Sequence, residues 1–304
     1  VTFLEGLYIF EDGDLLVLMN AKNILSALII FLSFLAGSFS RAELPVGQRF
    51  KKVIWVIFEN TNYDAALAQP DFMRVVGQGA LLTQMAAETH PSQPNYIAMI
   101  AGSTLGVRSN KNVNLSESHV GDLLEKAGLD WKAYAEDYPG NCFLGAESGL
   151  YARKHVPFLS FTNVTKSASR CQKIVSASSF ATDFQAGHLP AFSMYIPNLK
   201  NDGHDTNIDY AGKWLTAKFG NVFKSPASLQ DTLFVVTFDE NHKGSSNQIF
   251  TVLLGGSVTP GIRNGQALNH VALLKMVQDE FNLGNQGRED LTAPAITGIW
   301  RSED

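Results

Sequence analysis

The sequence predicts a single α/β domain with a mostly parallel central sheet and helices on both faces. Three observations carry that reading. Two unbroken runs of β-branched and aromatic residues, Val53–Phe58 and Leu233–Phe238, lack the alternation of a half-exposed strand and suit central strands covered on both sides. Apolar residues at helical spacing, such as Val120, Leu123, Leu124 and Ala127, lie between further short apolar runs. At 304 residues, with 45% hydrophobic and 17% charged composition, the chain can bury one large core. The net charge of -5 offers no basic surface for nucleic acid, and there is no internal repeat.

Residues 24–39 are the most apolar stretch, with Lys22 before them and Ser40-Arg41-Ala42 after. A basic start, an apolar middle and a small-x-small site fit a secretory signal cleaved after Ala42. A short membrane anchor is the alternative, since the run lies at the lower limit for spanning. Met19 stands just upstream of Lys22, so residues 1–18 read as an extension before the true start. The expected organisation is therefore 1–42 as extension and signal and 43–304 as the folded domain, secreted or periplasmic, without a membrane span after cleavage.

Along the domain, Thr61–Pro70 reads as a loop into a short helix and Phe72–Val76 as helix, closed by Gly77 and Gly79. Ala80–Met85 is a second strand. It leads into Thr89-His90-Pro91-Ser92-Gln93-Pro94-Asn95-Tyr96, where each proline pushes the residue before it out of the α region yet is tolerated in a helix's first turn. Tyr96–Ala101 then continues as a buried helix ended by Gly102. Ser92 falls at its start, either as an N-cap or as a nucleophile beside N–H groups and a helix dipole that favour an anion. Arg108–Ser118 is polar and reads as a surface loop. The repeat from Val120 to Ala127 is an amphipathic helix stopped by Gly128, and Trp131–Glu136 alternates like a half-exposed strand. Cys142 and Cys171, the only cysteines, suit a disulfide behind a signal sequence, with two buried thiols as the alternative. Phe192–Ile196 is a further strand delivering the loop Asn201–Asp205, and Ile249–Leu254 a late one. Asn269 can cap a last helix carrying Leu274, Val277 and Phe281, with His270 in its first turn either facing the site or in a capping or surface role.

Both long apolar runs end in acidic or amide residues, Glu59-Asn60 and Asp239-Glu240-Asn241. In open α/β sheets ligands bind beyond the carboxyl ends of the strands, so two such pairs with a serine at a helix start point to a hard-cation site beside a nucleophile. Their oxygens suit Mg²⁺, Ca²⁺ or Mn²⁺ better than a sulfur-bound zinc. His204, between Asp202 and Asp205, can have one ring nitrogen oriented by a carboxylate for proton transfer or anion contact.

The ordered motifs VIWVIFEN, HPSQPNY, YARKHVPF, PNLKNDGHD, TFDEN and NHVALLKMVQDEFNL, over about residues 50 to 300, resemble the phosphoesterase family of secreted acid phosphatases and bacterial phospholipases C. More distantly, Ser92-Gln93-Pro94-Asn95 resembles the nucleophile segment of nucleotide pyrophosphatases, which implies an alkaline phosphatase-like fold. The resemblance implies Glu59, Asn60, Ser92, Asp239 and Glu240 around a divalent metal, and His155 and His204 near the phosphate. Asn241 stands where many members have glycine, a departure in the loop and not in the ligands. The expected chemistry is in-line attack by Ser92, a phosphoserine, and release by water. Histidines that bind a dianion when protonated favour mildly acidic pH, near or below their unperturbed pKa of about 6.5. Substrates would be phosphomonoesters, and the resemblance adds phosphoinositide headgroups, notably the 3-phosphate. The alternatives are a phospholipase C-type diesterase and a non-catalytic phosphate-binding surface protein. The phospholipases of this family usually carry an extra C-terminal region, and this chain stops at Asp304.

Overall fold

The run Val53–Phe58 has no exposed surface and lies within strand β1 (Lys52–Phe58), at the middle of an eight-stranded sheet. The computed structural model describes residues 42–242 and 246–302, so the expected extension and apolar segment of residues 1–41 lie outside the described residues. The folded unit is Glu43–Asp304. Its other strands are β2 (Ala80–Ala86), β3 (Trp131–Ala135), β4 (Glu147–Ser148), β5 (Tyr151–Ala152), β6 (Ile174–Ser176), β7 (Phe192–Ile196), β8 (Thr232–Phe238), β9 (Thr251–Gly255) and β10 (Arg263–Asn269). The sheet order is β10-β2-β9-β8-β1-β7-β3-β6, with β4 and β5 forming a separate hairpin. All neighbours in the sheet are parallel except those of β9, which runs against both β8 and β2. No described helix connects β8 to β9, and without a crossover the chain can only turn back antiparallel.

Side-chain alternation divides the sheet into two covered faces. On one face, Phe58 and Phe238 pack with Phe72 of the helix Pro70–Val76, and Phe58 also meets Trp214 of the helix Ile208–Phe223. On the other, Trp55 meets Phe192, and Phe158 joins Phe192 to Trp131. The helices Ser92–Ala101 and His270–Glu280 pack together on this second side. Each fully buried aromatic ring contributes roughly 1.5–3 kcal/mol by area removed from water, which is why the continuous apolar runs end up central. No described helix is long and apolar enough to cross a membrane.

One strand differs from the sequence reading. β3 is buried between β7 and β6 and not half-exposed, with only Lys132 partly accessible. The Lys132 amine reaches Asp183 at 2.8 Å, so its stem covers the sheet while its charge stays paired. Cys142 and Cys171 form the expected disulfide, with Cα atoms 5.3 Å apart.

Candidate active site

The register of β1 on β8 delivers the acids. Phe58 pairs with Phe238, and the Asp239 N–H donates to the Phe58 carbonyl at 2.9 Å, so Glu59 and Asp239 follow side by side. Alternation turns both carboxylates away from the Phe58 and Phe238 rings and toward the Ser92 helix. That helix begins at Ser92 itself, and Ser92 is 2% exposed. The Ser92 hydroxyl lies 3.1 Å from Glu59 Oε2 and 3.3 Å from Glu240 Oε1, while Asn60 Nδ2 donates to Glu240 Oε1 at 2.6 Å. Glu59, Asn60, Ser92 and Glu240, far apart in sequence, thus meet at one point, with Asp239 beside them.

The electrostatics of this cluster are unbalanced. Asp239 is 0% exposed, and both its carboxylate oxygens lack a hydrogen-bond partner among the described residues. Burial, then the charges of Glu59 and Glu240, push its pKa well above the ordinary carboxylate range. Burial also raises Glu240. For Glu59 burial pulls upward too, but the His155 imidazole against it prevails and holds it at about 2. Buried carboxylates without donors cost several kcal/mol each unless paired, so the arrangement fits a cation that would neutralise it. Carboxylate, amide and hydroxyl oxygens make a hard donor set suited to Mg²⁺, Ca²⁺ or Mn²⁺. Among the described residues no three His, Cys, Asp or Glu side chains form a ready cage. Asn60 and Ser92 would therefore complete the set.

The two predicted histidines occupy different layers. His155 is 1% exposed, with Nε2 2.8 Å from Glu59 Oε1, Nδ1 3.5 Å from Asp202 Oδ2, and its ring stacked on Tyr96. It therefore backs Glu59 from inside the protein. Burial lowers its pKa, against the pull of Glu59. His204 has 38% of its side chain exposed, and Asp205 Oδ1 lies 2.7 Å from its Nδ1. The two rings are 6.3 Å apart.

Sequence reasoning missed several residues here. His90 places Nδ1 2.5 Å from Glu240 Oε2 with 40% of its side chain exposed, although it stands two residues before Ser92 in the motif already singled out. Asp202 joins three parts of the site. Its carbonyl accepts from the Glu59 N–H at 3.0 Å, its Oδ1 from the His204 N–H at 2.8 Å, and its Oδ2 faces His155. The Arg108–Ser118 loop is not simply a solvated turn. Asn110 Oδ1 accepts from the Gln93 N–H at 3.0 Å, and Gln93 Nε2 donates to the Ser109 and Lys111 carbonyls. Pro94 has no N–H, so the helix start offers an anion fewer free donors than the sequence suggested. Nothing in a polar run specifies which element its amides will cap, whereas His90 and Asp202 were legible as neighbours of chosen residues. His270 is fully buried and touches the Phe238 carbonyl at 2.9 Å through Nε2, a contact to the strand end that packs the last helix onto the sheet.

Comparison with known proteins gives the family and the fold. A model of the phosphoesterase family matches residues 61–284. A probable acid phosphatase from Kluyveromyces lactis is 33% identical over 257 residues, covering 80% of this chain and 61% of that protein. A phosphatidylinositol-3-phosphatase from Mycobacterium tuberculosis is 36% identical over 256 residues, 83% of each chain. The chain thus spans about three fifths of the yeast relative and most of the mycobacterial one. Among solved structures, a protein in the alkaline phosphatase superfamily from Vibrio parahaemolyticus has the same fold, with a TM-score of 0.57 at 13% identity over 84% of this chain and 73% of that one. With the family model spanning the segments that carry Ser92, His155, His204, Asp239 and Glu240, the chain belongs to the phosphoesterase family.

Proposed function

We propose that the chain is a metal-dependent acid phosphatase that hydrolyses phosphomonoesters through a phosphoserine on Ser92. The observation that carries the reading is the Ser92 hydroxyl held between Glu59 Oε2 and Glu240 Oε1, at 3.1 and 3.3 Å, with the Asp239 carboxylate, which has no hydrogen-bond partner among the described residues, alongside. Glu59, Asp239 and Glu240, with Asn60 and Ser92, would hold Mg²⁺, Ca²⁺ or Mn²⁺. Such an ion supplies charge neutralisation at the phosphoryl group and lowers the pKa of a hydroxyl near it. The two carboxylate oxygens orient the Ser92 hydroxyl, which passes its proton to Glu240 as Oγ attacks phosphorus in line and the P–O bond to the leaving group breaks. His204, partly exposed and oriented by Asp205, donates a proton to the departing alkoxide. Water then gives a proton back to His204 and attacks the phosphoserine, the Oγ–P bond breaks as Ser92 Oγ regains its proton from Glu240, and inorganic phosphate is released. His155 contributes by keeping Glu59 ionised and in place.

The names of the relatives suggest the substrates: acid phosphatases, and a phosphatidylinositol-3-phosphatase that this chain resembles over most of its length. Phosphatidylinositol 3-phosphate therefore joins small monoesters as a proposed substrate. Secretion is proposed on the disulfide, which persists in oxidising compartments. The test is a panel of phosphomonoesters, phosphatidylinositol 3-phosphate and phosphatidylcholine, assayed across pH with added metals, on wild type and Ser92→Ala. Wild type should release phosphate from monoesters best at mildly acidic pH. Ser92→Ala should lose turnover by at least about 10³-fold while keeping its fold. Faster release of diacylglycerol from phosphatidylcholine than of phosphate from any monoester would replace this reading with a phospholipase C.

A further inference from the structure

We propose that Asn247 is a positioning residue that locks the Glu240 loop to the Ser92 loop and so sets the distance between carboxylate and hydroxyl. The inference rests on the phosphomonoesterase reading and concerns how that site is held together. Its side-chain oxygen accepts from the Asn241 N–H at 3.0 Å, next to Asp239-Glu240. Its side-chain nitrogen donates to the Thr89 carbonyl at 2.9 Å and the Ala87 carbonyl at 3.4 Å, on the segment that leads into His90-Pro91-Ser92. Its main-chain carbonyl accepts from the Ala87 N–H at 2.9 Å. One amide thus spans the two loops, with its acceptor on one and its donor on the other.

The surroundings make this bridge specific. Residues 248 and 249 run antiparallel beside Met85 and Ala86, so the backbone arrives at Asn247 already in register with the Ser92 loop. Asn247 itself has φ of 43°, a left-handed conformation that asparagine and glycine tolerate best. The Thr89 carbonyl also accepts from Asn95 Nδ2 at 2.8 Å, and the Thr89 N–H donates to Asn95 Oδ1 at 3.0 Å. Asn95 belongs to the buried Ser92 helix. Thr89 is therefore gripped from the helix by Asn95 and from the β8–β9 connection by Asn247. The next residue, His90, touches Glu240. Without the Asn247 amide the main-chain bond from the Ala87 N–H to the residue-247 carbonyl remains, but Thr89 is held only by Asn95 and through its neighbour His90, and the Glu240–Ser92 separation is free to relax. A misplacement of about 1 Å costs on the order of 10²-fold in rate.

Glycine at this position keeps the left-handed backbone and removes only the amide. Asn247→Gly should therefore fold with a melting temperature within a few degrees of wild type, lower kcat by about 10- to 100-fold, and leave the substrate KM within about threefold, because no substrate contact is removed. Asn247→Asp keeps the acceptor for the Asn241 N–H but sets an oxygen against the Thr89 carbonyl, so it should lose at least as much. In a His90→Ala background, where the second link between the loops is already gone, the cost of Asn247→Gly should change by more than about twofold, because the two links act on one distance. Wild-type kcat in either single variant, or a strictly multiplicative effect with His90→Ala, would overturn the proposal. Absence of monoester turnover in wild type would instead overturn the reading on which it rests.

Discussion

Asp239 has two buried oxygens without a donor among the described residues, so the same carboxylate that should help hold a cation should weaken the fold when the cation is removed. The direction follows from its raised pKa. Unfolded, the group ionises near its ordinary value; folded, it holds its proton to higher pH, so chelated protein loses stability as pH rises above the unfolded pKa. Asp239→Asn removes that cost and removes a charged ligand. At pH 8 in chelator, Asp239→Asn should melt no lower than wild type, whereas calorimetry should show divalent-metal affinity reduced by at least about tenfold. Equal metal affinity would exclude Asp239 as a ligand. His155 was read from sequence as a phosphate contact, and its burial against Glu59, Asp202 and Tyr96 gives it a supporting position instead.

The helix Val120–Lys126 shows how an element can carry its own pH dependence. Its N-cap is His119, whose Nδ1 accepts from the Gly121 N–H at 3.1 Å, while Nε2 faces Asn163 Oδ1 at 3.2 Å. That tautomer requires a neutral ring, and its burial among Trp131, Phe158 and Phe161 lowers the pKa to about 4. Between about pH 6.5 and 4 the unfolded chain binds the proton that the folded chain refuses, so stability falls as pH falls, by roughly 1.4 kcal/mol per unit. His119→Asn keeps a capping oxygen but does not titrate. It should lower the melting temperature near pH 7 through lost packing, and its further decline from pH 6.5 to 4.5 should be shallower than that of wild type. Parallel declines would show that His119 does not govern acid stability. The Ser92 helix makes the contrasting point: its fully buried length follows from Tyr96, Ile97, Met99 and Ile100, but the partner of its Gln93 N–H came from a loop with no periodicity to announce it.

For the molecule as a whole, the disulfide is the one covalent tie across the fold. It closes a 29-residue separation and joins the segment before the β4–β5 hairpin to the end of the helix Ala168–Cys171. Chain entropy for a loop of that length corresponds to about 3–4 kcal/mol. Replacing both cysteines by serine should therefore reduce the free energy of unfolding by that order in denaturant titrations. It should leave kcat at 20 °C nearly unchanged, because His155, downstream of the hairpin, is already fixed by Glu59, Asp202 and Tyr96. A large loss of kcat without a loss of stability would mean that the bridge acts on the site and not on the fold.

Sequence sufficed for the elements whose pattern is local. The apolar runs announced β1 and β8, the acidic residues after them announced carboxylates at the strand ends, and proline and glycine punctuation located the Ser92 helix. The ordered motifs were enough for the family as well. Tertiary structure decided what depends on register and depth. Whether β3 lies inside the sheet, which way β9 runs, that His155 sits behind Glu59 while His204 meets solvent, and that His90, Asp202 and Asn247 reach the same cluster all turn on contacts between distant segments. A side chain's identity states which bonds it can make, but burial and the partner across the gap select among them, and in a parallel sheet that partner is a crossover or more away in the chain.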